Sequence, residues 1–228
     1  MTDLAEKISA LNEEIRGLER KFGREPDSVA LLAVSKRHSA DKIRDLAALG
    51  VRNYGENYLQ EALEKQATLG DLSLNWHFIG PIQSNKTRGI AENFDWVQSV
   101  DREKIAIRLN DQRPEDMDPL NICVQVNLSQ EESKSGVELD NCVALCEAVS
   151  KLPRLRLRGL MAIPAPETDF ELQRQCFREL ATLYRKLADT YTSMDTLSMG
   201  MSNDYIAAIA EGATMVRLGT ALFGPRPA

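Results

Sequence analysis

Along the first twenty residues, apolar side chains recur at alternating steps of four and three positions. They are Leu4, Ile8, Leu11, Ile15 and Leu18. This spacing places them on one face of a helix, so the sequence predicts an amphipathic helix over residues 3–22. The repeat spans fewer than three heptads, which is short for a coiled coil. We therefore expect this helix to pack across the bottom of a domain rather than to mediate dimerisation.

Beyond this helix, short stretches rich in β-branched and aromatic residues alternate with longer segments of helical period. Strands are predicted at 29–35, 51–54, 75–79, 95–98, 120–127, 155–161, 195–198 and 214–218. Helices are predicted near 39–49, 56–69, 84–93, 101–112, 139–151, 168–190 and 203–212. A strand followed by a helix, repeated along the chain, indicates parallel strands with right-handed crossovers.

Eight parallel strands within 228 residues favour a closed (β/α)8 TIM barrel over an open doubly wound sheet. No GxGxxG follows the first strand, which weakens a dinucleotide-binding alternative. We expect an α/β fold with one domain over residues 1–228. The segment after the last strand is short, so the N-terminal helix is an extra element that can supply the missing cover.

Composition and charge narrow the class of protein. A formal charge of −6 argues against nucleic acid as a partner, because phosphate backbones require a concentrated basic face. The four cysteines lack CxxC spacing and do not pair with His38 or His77, so neither a zinc site nor a disulfide framework is expected. No secretion signal or membrane-spanning run is present, and we expect a cytoplasmic protein without a membrane partner.

Residues with chemical potential gather where the predicted strands end, which is the catalytic rim of such barrels. The first strand, within LLAVSK, ends at Lys36. The second, third and fifth strands, with the segments that follow them, add Asn57, His77, Ser84, Asn85, Asn127 and Lys134. A solvated strand end is the alternative interpretation of a lone lysine.

Small and hydroxyl-bearing residues crowd the loops after the seventh and eighth strands, in LSMGMSND and VRLGTALFG. Gly200, Ser202, Gly219 and Thr220 allow backbone N–H groups to approach an anion closely. In TIM barrels these two loops commonly hold a phosphate. The same residues are also typical of tight turns with capping residues, so both interpretations stand at this point.

A partly desolvated lysine has a lowered pKa, and its neutral amine can attack a carbonyl. Two carbonyl compounds suit Lys36: a sugar phosphate, as in Schiff-base aldolases, or the aldehyde of pyridoxal 5'-phosphate. Arg217, two residues before Gly219, favours the second, because a guanidinium can donate to the pyridine nitrogen. Arginine stays protonated, so the nitrogen would stay unprotonated and the ring would stabilise carbanions poorly.

Six segments in order, LLAVSK, YGENY, WHFIGPIQSNK, GLMAIP, LSMGMSND and VRLGTALFG, together resemble one family. It is that of the YggS-like (PROSC) pyridoxal phosphate homeostasis proteins, whose fold-type III barrel is similar to the N-terminal domain of alanine racemase. The resemblance covers residues 3–224.

The resemblance implies that Lys36 carries pyridoxal 5'-phosphate as an internal aldimine. It also implies that Ser202, Gly219 and Thr220 contact the phosphate and that Arg217 meets the pyridine nitrogen. Asn57, His77 and Met161 occupy family motifs and are candidates for lining the ring. His77, beside Trp76, is equally consistent with a packed strand residue.

Departures from alanine racemase argue against efficient amino-acid chemistry. Racemisation needs two bases, and the racemase takes its second, a tyrosine, from a separate β-domain that we do not expect in this chain. Four residues beyond Lys36, where the racemase has a tyrosine, this sequence has Ala40. The predicted function is therefore a non-enzymatic carrier or reservoir for pyridoxal 5'-phosphate, which supplies apo-enzymes; the alternative is a low-activity fold-type III amino-acid racemase.

Two further expectations concern transfer and assembly. Lys134 is a second amine on the predicted rim that could receive or relay the cofactor, although a solvated lysine in SKSG is the simpler interpretation. No excess of apolar surface is evident in the pattern, and we expect a monomer.

Overall fold

The computed structural model describes residues 2–128 and 135–224, with side chains from residue 4 onward. Within these ranges the strands are β1 (Ala30–Val34), β2 (Asn53–Glu56), β3 (Asn75–Phe78), β4 (Trp96–Val100), β5 (Leu120–Asn127), β6 (Val137–Glu138), β7 (Leu155–Ala162), β8 (Thr196–Ser198) and β9 (Met215–Leu218). The helices are α1 (Thr2–Lys21), α2 (Ala40–Ala48), α3 (Leu59–Thr68), α4 (Thr87–Asn93), α5 (Glu103–Gln112), α6 (Leu139–Ser150), α7 (Phe170–Thr190), α8 (Tyr205–Ala210) and α9 (Thr220–Phe223).

Eight of these strands form a closed parallel barrel. Their order is β4-β3-β2-β1-β9-β8-β7-β5, and pairing of β4 with β5 closes the ring. The predicted TIM barrel is therefore confirmed. The ninth strand, β6, pairs in parallel with the end of β5. Sequence pattern did not predict it, because two residues are too few to show an alternation.

One predicted strand is displaced in a way that matters for the site. The second strand occupies Asn53–Glu56 rather than 51–54, because the Val51 N–H donates to the Leu46 carbonyl and closes the turn after α2. Glu56 consequently lies inside the barrel sheet, and Asn57 follows directly at the strand end.

The N-terminal helix supplies cover where the outer layer of helices is thin. Four of its five repeating apolar residues are buried: Ile8, Leu11, Ile15 and Leu18. Its main contacts are with α8 and α9, which have six and four residues. These contacts place α1 along the side of the barrel, beside its two shortest helices, rather than across the bottom. Glu19, on the buried face of α1, accepts the Val29 N–H with its carboxylate at 2.8 Å. This hydrogen bond connects the helix to the start of β1.

Register brings the carboxyl ends of neighbouring strands to one rim. In β1, Ala33 lies opposite Tyr54 of β2 and Leu218 of β9. The chain leaves these strands a few residues later, so Lys36, Asn57 and Gly219 emerge side by side. Among the helices of the described ranges, none has both the length and the apolar character needed to cross a membrane.

Candidate functional site

A cavity of about 150 Å³ opens at the carboxyl ends of β1, β2 and β9. Its walls are formed by Val34, Lys36, Asn57, Ile79, Ile163, Met201, Ser202, Arg217, Gly219 and Thr220. Six of the eight residues proposed from sequence are thus brought together: Lys36, Asn57, Ser202, Arg217, Gly219 and Thr220. A larger groove of about 520 Å³ runs along the outer face of α7. None of the eight site residues proposed from sequence lines that groove, so the chemistry points to the smaller cavity.

Lys36 is half-buried, and the backbone on both sides of it is held in place. Ser35, fully buried, donates its N–H to the Gly55 carbonyl at 3.1 Å and its hydroxyl to Glu56 at 2.6 Å. On the other side, Arg37 adopts a left-handed φ of 63° and donates its N–H to Glu61. The amine therefore extends from a strand end whose position is fixed by hydrogen bonds.

A buried ion pair supports this strand end. The Lys65 ammonium donates to the Glu56 carboxylate, the Glu61 carboxylate and the Ser35 carbonyl, each at 2.7 Å. Burial raises the pKa of the Glu56 carboxyl, while Lys65 and Ser35 act in the opposite direction. This pair is not recognisable in the sequence, because Glu56 and Lys65 lie on different elements and each is unremarkable in its own segment.

The loop after β8 is shaped by a glycine and an aspartate. Gly200 has φ 93°, and a Cβ there would come within 2.6 Å of the Ala208 Cβ, so only glycine fits this turn. The Met201 N–H donates to the Asp204 carboxylate at 2.6 Å, and the Gly200 carbonyl accepts the Arg217 N–H at 2.9 Å. Burial raises the pKa of the Asp204 carboxyl. These contacts hold Ser202 at the cavity wall.

The loop after β9 passes close to β1. A Cβ on Gly219 would lie 3.3 Å from the Val34 carbonyl, so the absence of a side chain permits this approach. Thr220 follows at the exposed mouth of the cavity. Ser202, Gly219 and Thr220, from the loops after β8 and β9, thus line the cavity together with Lys36, an arrangement of small residues that suits a phosphate.

Arg217 forms a buried cationic part of the cavity wall, with 3% of its surface exposed. Its guanidinium donates to the Ser198 hydroxyl at 2.9 Å and to the Ala162 carbonyl at 2.8 Å. Burial lowers its pKa to about 10, so it remains protonated near neutral pH. A fixed donor of this kind can bind a ring nitrogen or another neutral acceptor.

Asn57 lines the cavity, and its buried Oδ1 atom has no hydrogen-bond partner within the described residues. An unpaired buried acceptor at a cavity wall is available to a ligand donor.

The structure does not bring His77 and Met161 into the cavity. His77 is buried in the barrel interior, where its Nδ1 atom lies 3.0 Å from Gln98 Nε2 and its ring stacks on Trp96. Burial lowers the pKa of His77 to about 3, so the ring is neutral. Met161 is fully buried in β7. Neither side chain is part of the cavity wall.

Several neighbours of the site are likewise not recognisable in the sequence. Four wall residues, Val34, Ile79, Met201 and Ile163, are apolar and carried no chemical signal. Ser198 was visible only as part of LSMGMSND, and Gln98 lies on a strand that contributed no motif. Lys134, proposed as a second amine, lies outside the described residues.

The known proteins that this chain resembles belong to one family. The sequence model described as "Alanine racemase, N-terminal domain" matches residues 7–227. The Pseudomonas aeruginosa protein named "Pyridoxal phosphate homeostasis protein" is 58% identical, over 99% of this chain and 97% of its own. The protein of the same name from Escherichia coli is 49% identical, over 99% of this chain and 98% of its own.

Solved structures agree with this result. PipY of Synechococcus elongatus, solved with PLP bound, is 39% identical and superimposes with a TM-score of 0.84, over 97% of this chain and all of that one. Alanine racemase of Clostridium difficile is 17% identical, with a TM-score of 0.74 over 100% of this chain and 58% of the racemase. At that identity the likeness concerns the fold alone.

Proposed function

The chain belongs to the alanine racemase N-terminal domain family and, within it, to the pyridoxal phosphate homeostasis proteins; from this premise we propose that it binds pyridoxal 5'-phosphate and acts as its carrier or reservoir. The observation that carries the proposal is the convergence of Lys36, Arg217 and the loops of Ser202 and Gly219 on one cavity. A primary amine, a fixed cationic donor and accessible loop backbone match the aldehyde, ring nitrogen and phosphate of this cofactor.

Pyridoxal 5'-phosphate supplies an aldehyde, which condenses with a primary amine to give an imine and one molecule of water. Lys36 provides the amine. Because this condensation is reversible by water or by exchange with another amine, the same lysine can hold the cofactor and release it. Ser202 and Thr220 provide hydroxyl donors for the phosphate, and Arg217 donates to the ring nitrogen.

The cavity wall supports binding rather than amino-acid chemistry. Among its described residues, Lys36 and Arg217 are the ones with titratable side chains, and Arg217 stays protonated. Racemisation requires proton transfer on both faces of a carbon atom, which calls for two bases. A protonated arginine is also a poor partner for carbanion stabilisation at the ring.

The proposal includes a location and partners. The four cysteines all lie in the described part of the chain and form no disulfide there, and three of them are buried, as suits a reducing compartment. We place the protein in the cytoplasm as a monomer, with pyridoxal 5'-phosphate-dependent apo-enzymes as recipients of the cofactor.

The test is chemical trapping. Purified protein is incubated with pyridoxal 5'-phosphate, reduced with borohydride, digested and analysed by mass spectrometry. The expected product is a phosphopyridoxyl group on the peptide that contains Lys36. Lys36→Ala should lose this adduct, whereas Lys104→Ala, at an exposed position on α5, should keep it. An unmodified Lys36 peptide in the wild-type protein would contradict the proposal.

A second assay separates a carrier from a racemase. The loaded protein is incubated with alanine or serine in deuterated water, and exchange of the α-proton is followed by NMR. We expect exchange no faster than with the free cofactor. Sustained exchange at enzyme-like rates that depends on Lys36 would favour the racemase.

A further inference from the structure

A chain of buried polar side chains crosses the barrel interior from the cavity towards the opposite end. Arg217 Nη1 donates to Ser198 Oγ at 2.9 Å, and Ser198 Oγ donates to Gln98 Oε1 at 2.7 Å. Gln98 Nε2 lies 3.0 Å from His77 Nδ1. All four side chains are at least 97% buried, so these bonds form away from solvent.

The hydrogen bonds of this side-chain series run in a definite direction from donor to acceptor. The guanidinium only donates, so the Ser198 oxygen accepts from it and directs its own hydrogen to Gln98. The Gln98 amide nitrogen also lies 3.2 Å from the Met215 sulfur, an acceptor, which places the amide hydrogens on that side and on the His77 side. His77 Nδ1 is therefore an acceptor, and the ring proton resides on Nε2.

The hydrogen-bond chain ends, at His77, beside a second, polar cavity. His77 is part of the wall of a space of about 370 Å³ near the amino ends of the strands, together with Asn75, Trp96 and Arg158. The His77 Nε2 atom is buried and has no partner within the described residues. The imidazole thus fills the barrel interior between two polar spaces, and it adds no charge near Arg217.

These contacts explain how a serine can orient the guanidinium. A hydroxyl rotates freely and can present either its hydrogen or its lone pairs. Because Gln98 accepts the Ser198 hydrogen, the lone pairs of Ser198 face Arg217. Gln98 is held in turn by His77 and Met215. With the Ala162 carbonyl fixing a second guanidinium nitrogen, the edge of Arg217 at the cavity is set before any ligand arrives.

We propose that Ser198, Gln98 and His77 are positioning residues, which fix the orientation of the Arg217 guanidinium towards the ligand through a hydrogen-bond chain of defined direction. This inference rests on the proposed function for the identity of the ligand, but the chain itself is a property of the protein alone.

The first test determines the direction of the hydrogen-bond chain in the protein without ligand. The protein has two histidines, so long-range ¹⁵N–¹H NMR of labelled apo-protein resolves their side chains readily. We expect His77 to be protonated at Nε2 and unprotonated at Nδ1. Gln98→Glu presents an oxygen to Nδ1 and should move the proton there, while still accepting from Ser198. Protonation at Nδ1 in the wild type would overturn the proposed direction.

The second test measures how substitution of Ser198 changes ligand binding through Arg217. Ser198→Ala should weaken binding of pyridoxal 5'-phosphate about tenfold or more, the loss expected for one hydrogen bond to a charged group. It should also change the pH dependence of the bound chromophore's absorption, with borohydride trapping at Lys36 retained. Ser198→Thr keeps the hydroxyl and should restore both properties. Ser193→Ala also loses a serine hydrogen bond, to the Leu157 carbonyl, and should bind as the wild type does.

The outcomes separate the two proposals. If the wild type does not bind the cofactor, the proposed function fails, and the NMR result still decides the direction of the chain. If the wild type binds it and Ser198→Ala and Gln98→Leu bind it equally well with unchanged spectra, the positioning role is refuted. A lowered melting temperature alone, with unchanged affinity and spectrum, would indicate a merely structural role and also refute it.

Discussion

Replacing Lys65 by methionine isolates the buried ion pair behind Lys36. The substitution keeps a long apolar chain but removes the ammonium that lies 2.7 Å from Glu56. Glu56 is fully buried, so its carboxylate would retain only the Ser35 hydroxyl as a described partner. Removing one partner of a buried pair leaves an uncompensated charge and typically costs about 3–5 kcal/mol. For a chain of this size, this corresponds to a decrease of about 6–20 °C in melting temperature.

The loss of unfolding free energy in Lys65→Met should depend on pH. Burial already raises the pKa of Glu56, and removal of Lys65 raises it further. A carboxyl whose folded pKa exceeds its unfolded value is favoured when protonated, so stability is regained as pH falls and lost as pH rises through the folded pKa. The difference in unfolding free energy between wild type and Lys65→Met should therefore be larger at about pH 8 than at about pH 5.

Urea unfolding at several pH values measures this difference. Adding Glu56→Gln to Lys65→Met should recover much of the loss, because the uncompensated charge is then absent. Arg44→Met is the matched control: it breaks an exposed pair with Asp71 and should cost no more than about 1 kcal/mol. A Lys65→Met deficit that is independent of pH, or that Glu56→Gln fails to reduce, would refute the electrostatic explanation.

Three further substitutions test the fold and the site. Gly159→Ala places a Cβ 1.6 Å from the Thr196 carbonyl oxygen and should cost at least about 3 kcal/mol of unfolding free energy, whereas Gly17→Ala within α1 should be neutral or stabilise by up to about 1 kcal/mol. Arg217→Gln should weaken binding of pyridoxal 5'-phosphate about 10- to 100-fold in absorbance titrations, because a charged donor is lost; unchanged affinity would remove Arg217 from the site. Burial alone would raise the pKa of Glu19, but hydrogen bonds from Val29 and Arg16 lower it below its ordinary value. Glu19→Gln should therefore cost about 1.5–3 kcal/mol near neutral pH, and the difference should shrink as pH falls below the ordinary glutamate range and through the lowered pKa of the wild-type carboxylate; a constant difference in urea unfolding would contradict this.

The barrel could be predicted from sequence because its signals are local. Each strand is a short run enriched in β-branched or aromatic residues, and each helix shows a period of about 3.6 over several turns. The exact ends of strands and helices depend on contacts between residues that are farther apart in the sequence. The start of β2 depends on whether the Val51 N–H pairs with α2 or with a strand, and no property of Val51 itself decides this.

The site was predictable to the extent that barrel topology places strand ends together. Lys36, Asn57 and Gly219 were predicted because they follow strands within two residues, and Arg217 because it lies on the last strand two residues before Gly219. The partners that orient them were not, because such contacts join distant positions: Gln98 and Ser198 are 100 residues apart, and each is an ordinary residue in its own strand. His77 is the reverse case: membership of a motif suggested that it lines the ring, whereas its side chain lies in the barrel interior, outside the cavity wall.

The charge of the cavity differs from that of the chain, and the buried partners of Arg217 explain how. A net charge of −6 implies a surface that repels phosphates in general. Arg217 is hydrogen-bonded to neutral groups, the Ser198 hydroxyl and the Ala162 carbonyl, whereas the nearby Asp204 carboxylate accepts the Met201 N–H instead. Within residues 2–128 and 135–224, the cationic charge at the cavity wall is therefore not cancelled by a direct ion pair, and burial reduces its screening by solvent. We therefore expect the local charge to attract a small anion that reaches this cavity, even though the surface around it disfavours larger polyanions.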